Sequence, residues 1–278
     1  MEKILIIDGS QLLFQSFYGM PKKIVNSNGK NIEAVICFTG ILLKIINKIC
    51  PSKLIVVFDG ENELVRKNID KDYKSNRLSF SNTPESENPF NQLEMIKTIL
   101  NYLNFKWIET INCEADDYIA GIVNTLKIKN KIIISSTDKD FYQLIGNNVS
   151  QFIYRGKKSI TVNEEIILKD YGFKPSLFRT YKALVGDVSD NIKGIEKIGK
   201  KTATQLINKF GDVFNILNNI EYLSKNIRAL LELNQDRLLN NYKMIDLSSN
   251  RIEIELCNLI YQFPNQSTMS ILKSCRML

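Results

Sequence analysis

The chain has 278 residues, 44% hydrophobic and 24% charged, the composition of a soluble globular protein with room for one large domain or two modest ones. It contains no histidine, which removes the commonest general base, the usual zinc ligand and every Ser-His-Asp arrangement, so hydrolytic chemistry must run on carboxylates, lysines or metals. A net charge of +7 favours a polyanionic partner, because each phosphate neutralised releases counterions.

Met1 to Asp8 is too short and too acidic at its end for a signal peptide, and neither end carries an apolar run of about 18 residues, so a cytoplasmic protein is expected. The five cysteines (Cys37, Cys50, Cys113, Cys257, Cys275) are scattered without a CxxC pair. They suggest neither a zinc site nor a disulfide framework and read as reduced, mostly buried thiols.

In chain order, Ile4-Leu5-Ile6-Ile7 runs into Asp8, Leu54-Ile55-Val56-Val57-Phe58 into Asp59, and Ile132-Ile133-Ile134 leads shortly to Asp138. Short continuous apolar runs predict parallel strands buried on both faces. Between them Ile32 to Cys50, Asn91 to Leu103 and Ala115 to Leu126 carry a helical period. Alternating strands and helices predict an α/β domain over residues 1–162 with a mainly parallel sheet flanked by helices. In such sheets ligands sit outside the carboxyl ends of the strands, where all three aspartates fall. Glu61 to Pro89 has no clear period and reads as a long irregular insertion. After about Thr161 helices follow, over Glu164 to Tyr171, Ser176 to Val185, Lys201 to Phe210, Val213 to Leu217 and Ser224 to Met244, which predicts a smaller helical domain over residues 163–278. The tail from Asn258 has no clear periodicity.

Glu114, Asp116 and Asp117 open a predicted helix, where the macrodipole favours negative charge. One acid suffices for a cap, whereas three would repel one another unless a cation lay between them. Asp138 with Asp140, and Asp187 with Asp190, are two further acid pairs at loop positions. Each alone, like Asp8-Gly9 and Asp59-Gly60, also reads as an ordinary turn. Jointly, acids at strand ends and adjoining loops suit hard oxygen-ligand cations, Mg²⁺ or Mn²⁺, with two sites plausible. Two such ions about 4 Å apart can activate a water on one side of a phosphodiester and stabilise the leaving oxygen on the other.

Tyr73-Lys74-Ser75-Asn76-Arg77, with Arg66 and Lys67 upstream, offers cations for phosphates and an aromatic face for a base, and reads equally as a solvated charged loop. The segment from Arg179 to Lys209 is predominantly basic and holds Gly194-Ile195-Glu196-Lys197-Ile198-Gly199-Lys200-Lys201-Thr202. Such a glycine-spaced hairpin leading into a helix presents backbone N–H groups to phosphate without reading sequence. The same stretch approximates a P-loop, but its hydroxyl comes one position late at Thr202 and no strand is expected before it, so nucleotide binding is disfavoured.

Taken in order, Ile7-Asp8-Gly9, Phe58-Asp59-Gly60, Tyr73 to Arg77, Glu114-Ala115-Asp116-Asp117, Asp138-Lys139-Asp140, Gly186 to Ile192 and Gly199 to Ala203 resemble the 5′ nuclease domain of bacterial DNA polymerase I and its stand-alone relatives in the flap endonuclease family. The resemblance runs from about Ile4 to Phe210. It implies a PIN-like or resolvase-like α/β domain followed by a helix-hairpin-helix domain, and structure-specific 5′-3′ exonuclease and flap endonuclease activity on DNA in replication and repair.

By that resemblance Asp8, Asp59, Glu114 and Asp116 would hold one Mg²⁺, and Asp138, Asp140, Asp187 and Asp190 a second, directly or through water, with Asp117 able to serve in either coordination shell. Mn²⁺ would substitute. Lys74 and Arg77 would steer the scissile phosphate at the base of a helical arch, with Tyr73 stacking on a base and Arg66 assisting. Lys193, Gly194, Lys197, Ile198, Gly199, Lys200, Lys201 and Thr202 would grip duplex DNA, with a K⁺ on the carbonyls of Ile195 and Ile198. The chain departs from the family pattern at Gln15, Thr137 and Lys193, in place of arginine, glycine and proline, and in the arch from Leu78 to Pro89. A free-standing monomer acting on DNA with a 5′ flap or 5′ end is expected. The rivals are a non-catalytic structure-specific DNA-binding protein, which needs no acid cluster, and a PIN-type ribonuclease, which in general lacks the helix-hairpin-helix.

Overall fold

The computed structural model describes residues 1–278 apart from 61–69, 71, 76–82, 85–86 and 253. Most of the expected insertion, with Arg66 and Arg77, therefore lies outside the described residues.

The three apolar runs are strands β1 (Lys3–Asp8), β2 (Lys53–Phe58) and β4 (Lys131–Ser135), with β1 paired in parallel to both others. Leu5, Ile7, Leu54, Val56 and Phe58 face one core with helices α1 (Gly9–Gly19), α2 (Glu33–Ile49) and α3 (Leu93–Tyr102). Ile4, Ile6, Ile55 and Val57 face a second core against α4 (Ala115–Leu126). Burial on both faces is why these strands read as unbroken apolar runs, each such side chain contributing roughly 1.5–3 kcal/mol.

Three further strands complete the sheet: β3 (Trp107–Glu109), β5 (Val149–Ile153) and β6 (Ile160–Val162). The order is β3-β2-β1-β4-β5-β6, parallel except for the β5–β6 pair. Sequence reading missed these three because β3 and β6 are short and β5 is interrupted by Ser150 and Gln151. The chain winds outward from β1 in both directions, so the topological switch lies between β1 and β4, and Asp8 ends β1 there.

Beyond β6 the chain is helical: α5 (Glu164–Tyr171), α6 (Phe178–Val185), α7 (Lys200–Phe210), α8 (Val213–Asn218), α9 (Lys225–Leu233) and α10 (Gln235–Met244). They enclose a third core containing Phe178, Leu206, Ile207, Leu231 and Leu238. The single helix expected over Ser224 to Met244 is instead two, broken at Asn234, whose side-chain amide donates to the Leu230 carbonyl at 2.8 Å and competes with the helical ladder. A two-residue antiparallel ladder, β7 (Gly186–Asp187) with β8 (Ile192–Lys193), links α6 to α7. A strand thus does precede Gly194, contrary to expectation, although it belongs to this hairpin and not to the parallel sheet.

The tail is ordered as well. The segment after α10 is fastened to α4 by Asn124, which donates to the carbonyls of Leu247 and Ser248, and α11 (Thr268–Ser274) buries Ile271 and Leu272 in the core beside α2. The cysteines are free, but none is buried and Cys50 and Cys257 are exposed, which corrects the expectation of mostly buried thiols. Among the described residues no helix is long and apolar enough to cross a membrane.

Candidate active site

Four acids gather at the carboxyl edge of the sheet, Asp8 and Asp59 because β1 and β2 end there and Glu114 and Asp116 because α4 starts beside them. Asp8, 5% exposed, caps α1 by accepting from the Gln11 N–H at 2.9 Å and also accepts from the Ser136 hydroxyl at 2.8 Å. Asp59 follows β2; its N–H donates to the Ser10 hydroxyl at 2.8 Å, and its carboxylate accepts from the Ala115 N–H at 2.7 Å. That last bond docks the start of α4, with Glu114 and Asp116, against the end of β2. Gly60 is required beside it, since a Cβ there would lie 1.8 Å from the Thr110 carbonyl oxygen.

These acids act on one another through their charge, although their carboxylate oxygens are not drawn as tightly together as those of Asp140, Asp187 and Asp190. Burial, then the charges of Asp59 and Asp138, push the Asp8 carboxyl up to about 7. Asp116 is raised well above the ordinary carboxylate range by burial and by Asp138, Asp8 and Asp59, with Lys74 opposing. Asp138 is raised by burial and by Asp190 and Asp187, against Lys182 and Lys74. Asp138 thus acts on Asp8 and Asp116 and is itself acted on by Asp187 and Asp190 of the β7–β8 hairpin.

There the second group lies. One carboxylate oxygen each from Asp140, Asp187 and Asp190 falls within 4.8 Å of the others. The Lys182 ammonium on α6 contacts both Asp140 and Asp187. Burial alone would raise Asp187; Lys182 and the hydroxyl and N–H of Ser189 overcome it and hold this carboxyl below its ordinary value. The hairpin is shaped by Gly186 at φ 84° against Gly194, where a Cβ would lie 2.3 Å from the Val185 carbonyl oxygen. Asn241 on α10 clamps it from behind, donating to the carbonyls of Ala183 and Lys193.

Tyr73 and Lys74 join the two groups. The Lys74 ammonium pairs with the Glu114 carboxylate at 2.7 Å, and the Tyr73 hydroxyl donates to the same oxygen at 3.2 Å. The Lys74 N–H donates to the Asp190 carbonyl at 3.0 Å, while Asn191 donates to the Asp72 carbonyl and the Ser75 hydroxyl. This corrects one expectation: Tyr73 is 3% exposed with its ring in the hydrophobic core of the helical part, so it packs and orients Glu114 where a base-stacking ring would need an open face. Asp117 accepts from the Asn250 amide at 2.8 Å, on the C-terminal segment.

The basic hairpin follows β8 directly. Ile195 and Ile198 are buried and anchor it, the Ile195 N–H donating to Leu184 and the Ile198 N–H to Ile195. Lys193, Lys197, Gly199, Lys200 and Lys201 are exposed and Gly194 and Thr202 half-buried, with Gly199 at the N-cap of α7. Sequence reading missed Ser10, Ser136, Lys182 and Asn241, which carry no motif of their own. Lys182 alone left a signal, a lysine five residues before Asp187.

Donors of this kind, carboxylate oxygens held together against their own repulsion with no histidine or cysteine among them, fit hard divalent cations.

Residues 3–172 match the family described as 5′-3′ exonuclease, N-terminal resolvase-like domain, and residues 173–267 match its C-terminal SAM fold. The chain belongs to the 5′-3′ exonuclease family. Among curated relatives, the 5′-3′ exonuclease of Buchnera aphidicola subsp. Acyrthosiphon pisum is 35% identical over 98% of this chain and 96% of that one. The 5′-3′ exonuclease of Aquifex aeolicus is 34% identical over 92% of this chain and 85% of its own length. Among solved structures, the flap endonuclease of bacteriophage T5, in a complex with DNA and metal ions, superposes with a TM-score of 0.72 at 22% identity and covers 99% of both chains. The fold of this member is thus the expected one, a resolvase-like α/β domain followed by a helical SAM-like domain.

Proposed function

We propose that this 5′-3′ exonuclease family member is a structure-specific exonuclease and flap endonuclease that hydrolyses DNA phosphodiesters with two divalent ions, Mg²⁺ with Mn²⁺ able to substitute. The observation that carries the reading is the placement of the carboxylates: Asp140, Asp187 and Asp190 offer oxygens within 4.8 Å of one another, and Asp8 and Asp138 are both hydrogen-bonded to the Ser136 hydroxyl. Asp8, Asp59, Glu114 and Asp116 would hold one ion, and Asp138, Asp140, Asp187 and Asp190 the second; Asp117 would act through Asn250 and the C-terminal segment. When bound, the ions supply an activated water and neutralise charge developing on the phosphate.

The protein's own part is placement. Ser10, Ser136 and the N–H groups of Gln11 and Ala115 fix Asp8 and Asp59 before any ligand arrives, so little reorganisation is needed on binding. Lys74 and Lys182 hold the acid groups together by offsetting their charge. Lys74, buried against Glu114 here, would reach the scissile phosphate only once a bound ion takes over its charge on Glu114, with Arg77 and Arg66 from outside the described residues assisting. The exposed cations Lys193, Lys197, Lys200 and Lys201, with backbone groups of Gly194, Ile198, Gly199 and Thr202, would grip duplex phosphates without reading sequence, K⁺ on the carbonyls of Ile195 and Ile198 serving the same grip. Residues 1–162 would carry most of the ion ligands and residues 163–278 the grip together with Asp187 and Asp190, in a cytoplasmic monomer acting at 5′ flaps and 5′ ends during replication and repair.

The double variant Asp116→Ala with Asp140→Ala tests the reading. It should lose cleavage while keeping or strengthening DNA binding, because repulsion toward phosphate is relieved. Full activity in that variant would sink the two-ion assignment.

A further inference from the structure

Gln151 stands in the middle of β5, fully buried, opposite Ile134 on one neighbouring strand and Val162 on the other. An aliphatic side chain would suit such a place better, because a buried amide loses its hydration and must recover it in hydrogen bonds. Its carbonyl oxygen Oε1 is buried without a hydrogen-bond partner, so that half of the amide recovers nothing. The other half makes two bonds, Nε2 donating to the Ser136 carbonyl at 2.8 Å and to the Asp138 carbonyl at 2.7 Å.

Those two carbonyls lie on either side of Thr137, in the loop that carries β4 into the turn holding Asp138 and Asp140. The Ser136 hydroxyl then makes two contacts of its own: it donates to Asp8 Oδ2 at 2.8 Å and accepts from the Asp138 N–H at 3.0 Å. One hydroxyl proton and two lone pairs are enough for both. The relay runs from Gln151 through the loop backbone and Ser136 to Asp8 on one side and Asp138 on the other, which are the acids at the junction of the two carboxylate groups.

Building on the two-ion reading above, we infer that Gln151 is a positioning residue that sets the spacing between Asp8 and Asp138 and thereby the fit of both ion sites, without itself touching metal or DNA. Partners that orient ligands from behind typically change metal affinity by roughly 10–100-fold when removed. A purely architectural glutamine, present only to satisfy two loop carbonyls, would alter stability and leave ion affinity alone.

The test compares the unmodified chain with Gln151→Leu and Ser136→Ala, measuring Mn²⁺ binding from the free-ion electron paramagnetic resonance signal and unfolding by urea. Kinetics on a 5′-flap substrate at several Mg²⁺ concentrations accompany both. Gln151→Leu should weaken Mn²⁺ about tenfold, lower kcat at limiting Mg²⁺, recover at high Mg²⁺ and leave the KM for DNA unchanged. Ser136→Ala should show the same pattern, and the double variant should be little worse than either, since both cut one relay. A folded Gln151→Leu with unchanged Mn²⁺ affinity overturns the inference. If that variant does not fold, an unchanged affinity in Ser136→Ala overturns it equally, because that substitution removes the Asp8 and Asp138 contacts without altering β5. An unmodified chain that binds no Mn²⁺ would instead overturn the two-ion reading, and the inference with it.

Discussion

Lys74 and Glu114 form an ion pair at 2.7 Å in which both side chains are 5% exposed, joining the base of the insertion to the start of α4. A buried pair is a weak source of net stability, but breaking it leaves one charge stranded. Lys74→Met should therefore cost about 3–5 kcal/mol in urea unfolding without metal. Adding Glu114→Gln to it should restore most of that loss. A loss below about 1 kcal/mol in the single variant would show that Glu114 finds other compensation.

The raised acids make stability depend on pH in a direction opposite to the usual carboxylate. The folded chain holds a proton on Asp8 up to about pH 7, whereas the unfolded chain releases it near 3.8, so the folded state binds more protons throughout that window. Stability of the metal-free protein should fall as pH rises from about 5 to about 7.5, with Asp116 and Asp138 contributing in the same sense. Divalent metal, which needs the ionised form, should raise Tm more at the alkaline end. Asp246 runs the other way: Ser248, Ser249 and Arg179 overcome its burial and hold it low, so its contribution is present above about 3.8 and is lost in stronger acid. Thermal melts in EDTA that show no decline between the two pH values would contradict the clustering of Asp8 with its neighbours.

What the sequence made legible here were the features that needed only one stretch of chain. Ile4 to Ile7 and Leu54 to Phe58 announced strands because both faces of the sheet are covered, and Asp8 and Asp59 announced a site because each ends such a run. The connections that hold the site are long-range and use ordinary residues. Ser136 meets Asp8 across 128 positions, Asn241 meets Lys193 across 48, and no periodicity announces either. Tyr73 was misjudged for the same reason: its motif suggested an exposed ring, and only the packing of the helical part shows where the ring goes. β5 is hard to read because Ser150 and Gln151 interrupt its apolar pattern, and Gln151 does so to point its amide at the active-site loop.

The tightness of the β7–β8 hairpin gives a third expectation. Gly194→Ala would drive a methyl against the Val185 carbonyl at 2.3 Å, and the neighbour is backbone that cannot turn aside. Destabilisation of roughly 1–3 kcal/mol should follow, with loss of both duplex binding and the alignment of Asp187 with Asp190. Gly199→Ala is the control for stability alone, since a Cβ there meets nothing within 4 Å. Equal losses of stability in the two variants would contradict the packing described.

Lys201 is exposed in the first turn of α7, beside the N-terminus of the helix. Lys201→Ala should weaken duplex binding about equally for all sequences and lower the slope of log affinity against log salt by about one. A loss confined to particular sequences would count against backbone recognition.

The most direct measurement is cleavage of an end-labelled 5′ flap on duplex DNA with Mg²⁺, with Mn²⁺ and with EDTA, beside single-stranded RNA. The account predicts cutting near the flap junction with either metal, none in EDTA and little on the RNA. Tight binding of the flap without cutting under either metal would contradict it and return the chain to a DNA-binding protein without catalysis.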